Sequence, residues 1–155
     1  MNELNLLDKT FSFIMKRMME SGQAPFYPEI ATELGVSVEA GREALHDLFS
    51  GGLSGWLFPD TDYIASFAPF SNLPTQYRVT IDGQQKSFAQ CGFEALAVSW
   101  LFPGKTVRID FPCLDCGLPT QLEMQDGVVL NVEPAGLVGH VAVPIAKWGD
   151  QLPFA

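Results

Sequence analysis

The sequence predicts an α+β protein, with an N-terminal helix-turn-helix-like helical domain at residues 1–62 and a mostly antiparallel sheet with a central helix at residues 63–155. Apolar residues recur at spacings of three and four through the first fifty residues, which is typical of amphipathic helices. The later part alternates apolar and polar residues on both sides of two Asp-Gly pairs, which is typical of β-hairpins.

Three helices are predicted in the first domain. The apolar spacing indicates a helix at residues 4–20, a short helix at 29–35 that ends at a glycine, and a helix at 38–49 with Ser37 as its N-cap. Residues 25–28, Pro-Phe-Tyr-Pro, are expected to be extended.

Two helices joined by a tight glycine turn are typical of DNA-binding domains. The last of these helices, however, carries Glu39, Glu43 and Asp47 against a single cation, Arg42. A helix in the major groove should offer hydrogen-bond donors to bases and phosphates, and this helix offers mostly carboxylates. The pattern therefore favours a helical accessory domain over DNA recognition.

The second domain is predicted to begin after a connector at residues 54–75, which is rich in proline, serine and aromatic residues and is expected to pack on the protein. Asp82-Gly83 and Asp126-Gly127 are the predicted hairpin turns. The predicted strands and helix are strands at 76–81, 84–88, 106–111, 120–124, 128–132 and 138–143, and a helix at 93–102.

Composition excludes several classes of protein. The chain has 155 residues, of which 47% are hydrophobic and 17% are charged, so it is not a disordered chain. Its net charge of −9 is spread evenly and repels phosphates, so nucleic acid is not an expected partner. No uncharged run is long enough to span a bilayer and no signal peptide is recognised, so we expect a cytoplasmic protein without a membrane partner.

Cys91 and Glu94 form the first candidate catalytic pair. Cys91 lies where a predicted strand gives way to a predicted helix, and a helix N-terminus favours the thiolate form of cysteine. Glu94 follows three residues later, so it shares one side of the helix with Cys91. Partial burial and a nearby anion are expected to raise the pKa of Glu94 and keep it available as an acid. A buried structural cysteine beside a capping glutamate is the alternative.

Cys113 and Cys116 form a C-x-x-C motif after a predicted strand. Half a zinc site is one interpretation, with Cys91 as a third ligand, and a redox pair is another. A third interpretation is one structural cysteine beside a bystander. An odd number of cysteines in a reducing compartment favours thiol or metal chemistry over a disulfide framework.

The segments taken together resemble the alkylmercury (organomercurial) lyase family. The resemblance covers nearly the whole chain, including the helical N-terminal part, and it depends on the order and spacing of the segments. The stretches that carry it are residues 67–71, 74–80, 82–83, 88–96, 111–113 and 131–134.

The resemblance implies that the protein cleaves the carbon–mercury bond of organomercurials by protonolysis, releasing a hydrocarbon and Hg(II). Cys91 matches the family's motif cysteine, and Glu94 matches its acidic residue, which is usually aspartate. Cys113 matches a structural cysteine, whereas Cys116 has no counterpart. The implied partners are a small organomercurial substrate and cellular thiols, with no required cofactor and with Hg(II) as the bound product.

One feature of the family has no match in the sequence given. The family carries a second catalytic cysteine near its C-terminus, and this sequence ends at Ala155 at about that point. A shortened chain, a selenocysteine codon read as a stop, and loss of the residue are the three open explanations. In the last case Cys113 or Cys116 would serve as the substitute thiolate, and Cys116 is the better candidate.

Two other functions are carried alongside the lyase. One is a non-catalytic soft-metal protein that binds Hg, Cu or Zn through Cys91, Cys113 and Cys116. The other is a metal-responsive regulator of the winged-helix type. Convergence of the three sulfurs would favour the binding protein, and a pocket with an open side next to Cys91 and Glu94 would favour the enzyme.

Overall fold

The computed structural model of the chain describes residues 5–51 and 55–141, together with Pro144 and Lys147. Within these residues it contains four helices and eight strands, which confirms the predicted α+β class. None of the helices in this part of the chain is long and apolar enough to cross a membrane. The elements are α1 (Leu6–Ser21), α2 (Tyr27–Leu34), α3 (Val38–Ser50), β1 (Gly55–Leu57), β2 (Ile64–Phe67), β3 (Phe70–Ser71), β4 (Arg78–Ile81), β5 (Gln84–Ala89), α4 (Gly92–Leu101), β6 (Val107–Pro112), β7 (Pro119–Gln125) and β8 (Val128–Glu133).

Helices α2 and α3 are joined by the predicted glycine turn. Gly35 ends α2 in the left-handed conformation, with φ of 66°, and Ser37 caps α3 by accepting a hydrogen bond of 3.2 Å from the Ala40 N–H. The two helices approach closely because Gly41 faces Ala31, where an added Cβ would lie 2.6 Å from the Ala31 Cβ. The helix-turn-helix-like arrangement is thus fixed by small residues and local caps.

The start of α2 differs from the prediction. Helix α2 begins at Tyr27, so Tyr27 and Pro28 are helical and not extended. Proline is tolerated there because the first turn of a helix has N–H groups without helical partners. Glu29 completes the turn by accepting a hydrogen bond of 2.9 Å from the Phe26 N–H.

All eight strands form one sheet, in the order β1-β2-β3-β5-β4-β6-β7-β8, and every pairing is antiparallel. Both Asp-Gly turns are confirmed, and all four of their residues have positive φ, as a type I′ hairpin turn requires. Helix α4 packs on the sheet against β5, β6 and β7. The central helix of the predicted fold is therefore present.

Two predictions in this part of the chain are wrong. The segment predicted as a connector, residues 54–75, instead supplies β1, β2 and β3 of the sheet. Strand β2 was not predicted because it is buried on both faces and therefore lacks the alternation of apolar and polar residues that marks a half-exposed strand. The strand predicted at 138–143 is not formed by residues 138–141, and residues 142–143 lie outside the described part.

The helices and the sheet share one hydrophobic core. Ile14 and Met18 of α1, Ile30 of α2 and Leu45 of α3 belong to the same buried cluster as the sheet residues. Strand β1 also pairs with β2, although it precedes residue 63. The division into domains at residues 62 and 63 stays a prediction.

Gly22 allows α1 to end directly against β5, and its replacement by alanine is expected to be strongly destabilising. Gly22 has φ of 74°, and an added Cβ would lie 1.8 Å from the Lys86 carbonyl oxygen. Gly22→Ala should lower the free energy of unfolding by about 3 kcal/mol, because backbone strain and a backbone clash add together. Urea unfolding would measure the loss.

Gly35→Ala is the matched control for this prediction. Gly35 has φ of 66° but has nothing within 4 Å of its added Cβ. Gly35→Ala should therefore lower the free energy of unfolding by about 1 kcal/mol, because only the left-handed conformation is unfavourable for alanine there. Equal losses in the two variants would mean that the contact between α1 and β5 does not constrain the fold.

Candidate active site

Cys91 is the N-cap residue of α4 and follows β5 by two residues. Its backbone is extended, and its carbonyl accepts a hydrogen bond of 2.9 Å from the Ala95 N–H. The side chain is half-buried. The predicted position at the junction of strand and helix is therefore correct, and the sulfur lies at the N-terminal end of α4.

Glu94 lies in the first turn of α4, as predicted, and its carboxyl group faces the protein. Its Oε2 atom is buried and has no hydrogen-bond partner among the described residues. Burial of this oxygen is costly for the ionised form, which raises the pKa of Glu94 above its ordinary value.

The pKa of each member of the pair is raised. Burial raises the pKa of Glu94, and the neighbouring Cys91 side chain opposes that rise in part. Burial is also the main cause that raises the pKa of Cys91, and the Glu94 carboxylate adds to it. The backbone N–H groups of Glu94 and Phe93 favour the thiolate, as expected for a helix N-terminus, but burial outweighs them. Burial thus raises the pKa of Cys91 above its ordinary value, in contrast to the lowering expected from the helix N-terminus alone.

Tyr77 is a residue of this site that the sequence analysis did not single out. Its ring lies against Gly92, where an added Cβ would be 3.2 Å from the Tyr77 hydroxyl oxygen. Burial raises the pKa of Tyr77, and hydrogen bonding to Gln76 opposes this rise in part. The charge of Cys91 raises the pKa of Tyr77 further. No sequence spacing links Tyr77 to Cys91, because the two meet only through the pairing of β4 with β5.

The segment that follows β8 lies against the first turn of α4. An added Cβ on Gly139 would lie 3.2 Å from the Cζ atom of Phe93. The Phe93 side chain is itself 49% exposed. Phe93, Gly139 and Tyr77 therefore lie around the first turn of α4, next to Cys91 and Glu94.

Cys113 and Cys116 occupy the turn between β6 and β7. The turn is closed by hydrogen bonds from the Cys113 N–H to the Leu118 carbonyl, at 2.8 Å, and from the Gly117 N–H to the Cys113 carbonyl, at 2.9 Å. The backbone N–H groups of Cys116 and Asp115 and the Cys116 thiol lie beside the Cys113 sulfur and lower the pKa of Cys113. This cysteine, and not Cys91, is the one whose surroundings favour the thiolate.

The structure brings Cys91 together with Glu94, and Cys113 together with Cys116, but it does not unite the two pairs. Strands β5 and β6 lie on either side of β4, about 10 Å apart, and the Tyr77 ring packs against Phe111 between their ends. Among the residues that the structure describes, no three or more His, Cys, Asp or Glu side chains are grouped to hold a metal ion. A closed site made of all three sulfurs is therefore not formed.

The raised pKa of Glu94 makes a prediction about stability. A group whose folded pKa is raised above its ordinary value of 4.5 stabilises the fold fully at low pH, and this contribution is lost as the pH rises through the folded pKa. Glu94→Gln should therefore match the parent in free energy of unfolding near about pH 4 and exceed it above the raised pKa. Urea unfolding over that range measures the difference.

Asp62→Asn provides a control of opposite sign. Hydrogen bonds from Arg42 and His46 lower the pKa of Asp62, so its contribution is present at neutral pH and is lost as the pH falls through the lowered pKa. This variant should have a lower free energy of unfolding than the parent at neutral pH and the same free energy of unfolding at acidic pH. A Glu94→Gln variant that follows the same course would contradict the buried carboxyl described above.

Comparison with known proteins adds an independent observation. A family model described as alkylmercury lyase matches residues 70–153. Among curated proteins, an alkylmercury lyase of Bacillus cereus is 27% identical over 128 residues, which are 83% of this chain and 55% of the relative. One of Staphylococcus epidermidis is 28% identical over 134 residues, which are 86% of this chain and 58% of the relative. The chain thus spans about half the length of the curated relatives that it matches.

A solved structure shares the fold. The crystal structure of the mercury-bound form of MerB2 superposes with a TM-score of 0.62 and 17% sequence identity, covering 82% of this chain and 61% of that chain. At that identity the likeness concerns the fold alone.

Proposed function

The chain belongs to the alkylmercury lyase family, and on the geometry of Cys91 and Glu94 we propose that it cleaves the carbon–mercury bond of small organomercurials by protonolysis. The observation that carries the proposal is a buried carboxyl oxygen without a partner, one helical turn from a half-buried thiol. Such a pair can bind a soft metal and hold a proton at one place. Helix α4, which carries this pair, packs on the sheet through the shared hydrophobic core.

The first step is capture of the substrate as its complex with a cellular thiol. The Cys91 sulfur forms a bond to mercury, and the thiolate that arrived on the metal leaves. The proton of the Cys91 thiol passes to the Glu94 carboxylate. Mercury is soft and competes well with the proton for the sulfur, so the raised pKa of Cys91 does not prevent the sulfur–mercury bond from forming.

The second step is proton transfer to carbon. Glu94 gives its proton to the carbon atom bound to mercury, and the electron pair of the carbon–mercury bond becomes the new carbon–hydrogen bond. The hydrocarbon leaves, and Hg(II) remains on Cys91 beside the Glu94 carboxylate. Burial holds Glu94 in its acid form for this step.

Release of the product needs thiols and no redox partner. One thiolate and one thiol take Hg(II) from Cys91 as a bis-thiolate complex, and the thiol proton returns to the Cys91 sulfur. The reaction therefore requires no cofactor, and the cellular thiols are both carriers of the substrate and acceptors of the metal.

Incubation with phenylmercury or methylmercury in excess thiol tests the proposal. Mass spectrometry of the protein reports capture of the organomercurial, and analysis of the headspace reports benzene or methane. We expect both signals. Unchanged organomercurial after long incubation, with a protein that captures it, would reduce the function to binding.

A further inference from the structure

The turn between β6 and β7 holds a second pair of thiols that the proposed reaction does not use. Cys113 is half-buried and Cys116 is exposed, and the sulfur of Cys113 is flanked by the thiol of Cys116 and by two backbone N–H groups. Negative charge on this sulfur is therefore stabilised by the turn itself, without a cationic side chain.

The turn is held in place from both sides. Strands β6 and β7 are paired up to Pro112 and Pro119, and two backbone hydrogen bonds close the loop between them. Gly117 has φ of 74°, which lets the chain reverse immediately after Cys116. The two sulfurs are thus presented together by a fixed backbone, so little conformational entropy is lost when both bind one ion.

The number of ligands limits which ion this pair can take. Zinc in structural sites takes four ligands, and although Asp115 lies between the two cysteines, the described residues contain no group of three or more His, Cys, Asp or Glu placed to hold a metal ion. Soft ions prefer thiolates, and Hg(II) is satisfied by two of them. The turn is open to solvent, since Leu114 and Leu118 are 71% and 58% exposed.

We infer that Cys113 and Cys116 form a second, two-thiolate binding site for Hg(II), which receives the metal after it leaves Cys91. The binding site stands on the geometry of the turn, whereas its role as receiver rests on the proposed function. In the exchange, the bis-thiolate complex of Hg(II) that has left Cys91 gains bonds to both sulfurs of the turn and loses its two small thiolates. One of the departing thiolates takes up the remaining thiol proton of the pair, and no oxidation state changes.

The position of the turn suits this role. The ends of β5 and β6 lie at the same end of the sheet, separated by β4. Tyr77 and Phe111 pack against each other beside β4, and among the described residues no group of three or more ligating side chains joins the two pairs. Transfer therefore proceeds through the bis-thiolate complex that leaves Cys91, whose small thiolates are then exchanged for those of the turn.

Binding of inorganic Hg(II) tests the site without any lyase activity. The protein used is the full chain with Cys91→Ser, loaded with one equivalent of HgCl2 and titrated with a monothiol competitor under native mass spectrometry. We expect one Hg(II) to be retained per monomer. Adding Cys116→Ser should let about 100-fold less monothiol remove the metal, because a single thiolate loses the gain from linked binding.

Leu114→Ser in the Cys91→Ser chain is the matched control, since it alters an exposed residue of the same turn and keeps both sulfurs. It should retain Hg(II) like its parent. Equal loss of metal from the chains with and without Cys116 would overturn the site. Retention only as a species in which mercury bridges two chains would overturn it as well.

A second measurement tests the role as receiver. Trypsin separates the cysteines, because Cys91 falls in the fragment 87–105 and the other two fall in the fragment 109–147. After turnover of one equivalent of phenylmercury with two equivalents of a monothiol, we expect Hg(II) on the fragment 109–147. Benzene release with mercury only on the fragment 87–105 would overturn the receiver role. Absence of benzene would overturn the proposed lyase reaction. In that case the HgCl2 titration still decides whether Cys113 and Cys116 form a binding site.

Discussion

Replacing Cys91 by serine is expected to abolish both capture of the organomercurial at α4 and release of the hydrocarbon. Serine keeps the shape of the side chain but supplies a hard oxygen, which binds mercury far more weakly than sulfur. The rate of hydrocarbon release should fall by about 1,000-fold or more, as in other enzymes that lose their nucleophile. Headspace analysis with phenylmercury measures this rate.

Urea unfolding of Cys91→Ser supplies the control for that loss. The side chain is only half-buried and makes no side-chain capping hydrogen bond in α4, so its stability should stay close to that of the parent. A folded variant that releases benzene at the parental rate would remove Cys91 from the mechanism.

Replacing Glu94 by glutamine is expected to separate binding from bond cleavage. The amide has nearly the size of the acid but cannot give a proton to carbon, so Glu94→Gln should capture the organomercurial on Cys91 and release hydrocarbon about 100- to 10,000-fold more slowly. Mass spectrometry of the protein should show the organic group still attached to the bound metal.

Glu94→Asp is the conservative partner of that variant. It keeps an acid but shortens the side chain by one methylene, and an error of position of about 1 Å can cost about 100-fold in rate. It should therefore fall between the parent and Glu94→Gln in hydrocarbon release. Equal release by the glutamine variant and the parent would assign the proton to water or to another group.

The stability and activity of Glu94→Gln should change in opposite directions. The same burial that raises the pKa of Glu94 makes its ionised form costly in the folded state, so the glutamine variant is expected to be more stable at neutral pH while it loses the reaction. Such a trade is typical of groups that are kept for chemistry. It also excludes unfolding as the cause of lost activity.

Local signals were enough for most of the fold. Ser37 and Gly35 mark the boundary between α2 and α3, and the two Asp-Gly turns set β4 with β5 and β7 with β8. These features depend on the conformational preferences of single residues, so they are readable without the rest of the chain. Strands β2 and β3 were missed because short, fully buried strands carry no alternation, and β1 has only three residues, all half-buried.

The sequence by itself determined the α+β class, the α4 junction at which Cys91 lies, and the spacing that places Glu94 beside it, because helix caps and the helical repeat are local properties. Only the tertiary structure decided that burial raises the pKa of Cys91, that Tyr77 packs against Gly92, and that the three cysteines do not form one metal site among the described residues. Burial and strand pairing bring together residues that are distant along the chain, and no local pattern encodes the resulting electrostatic environment.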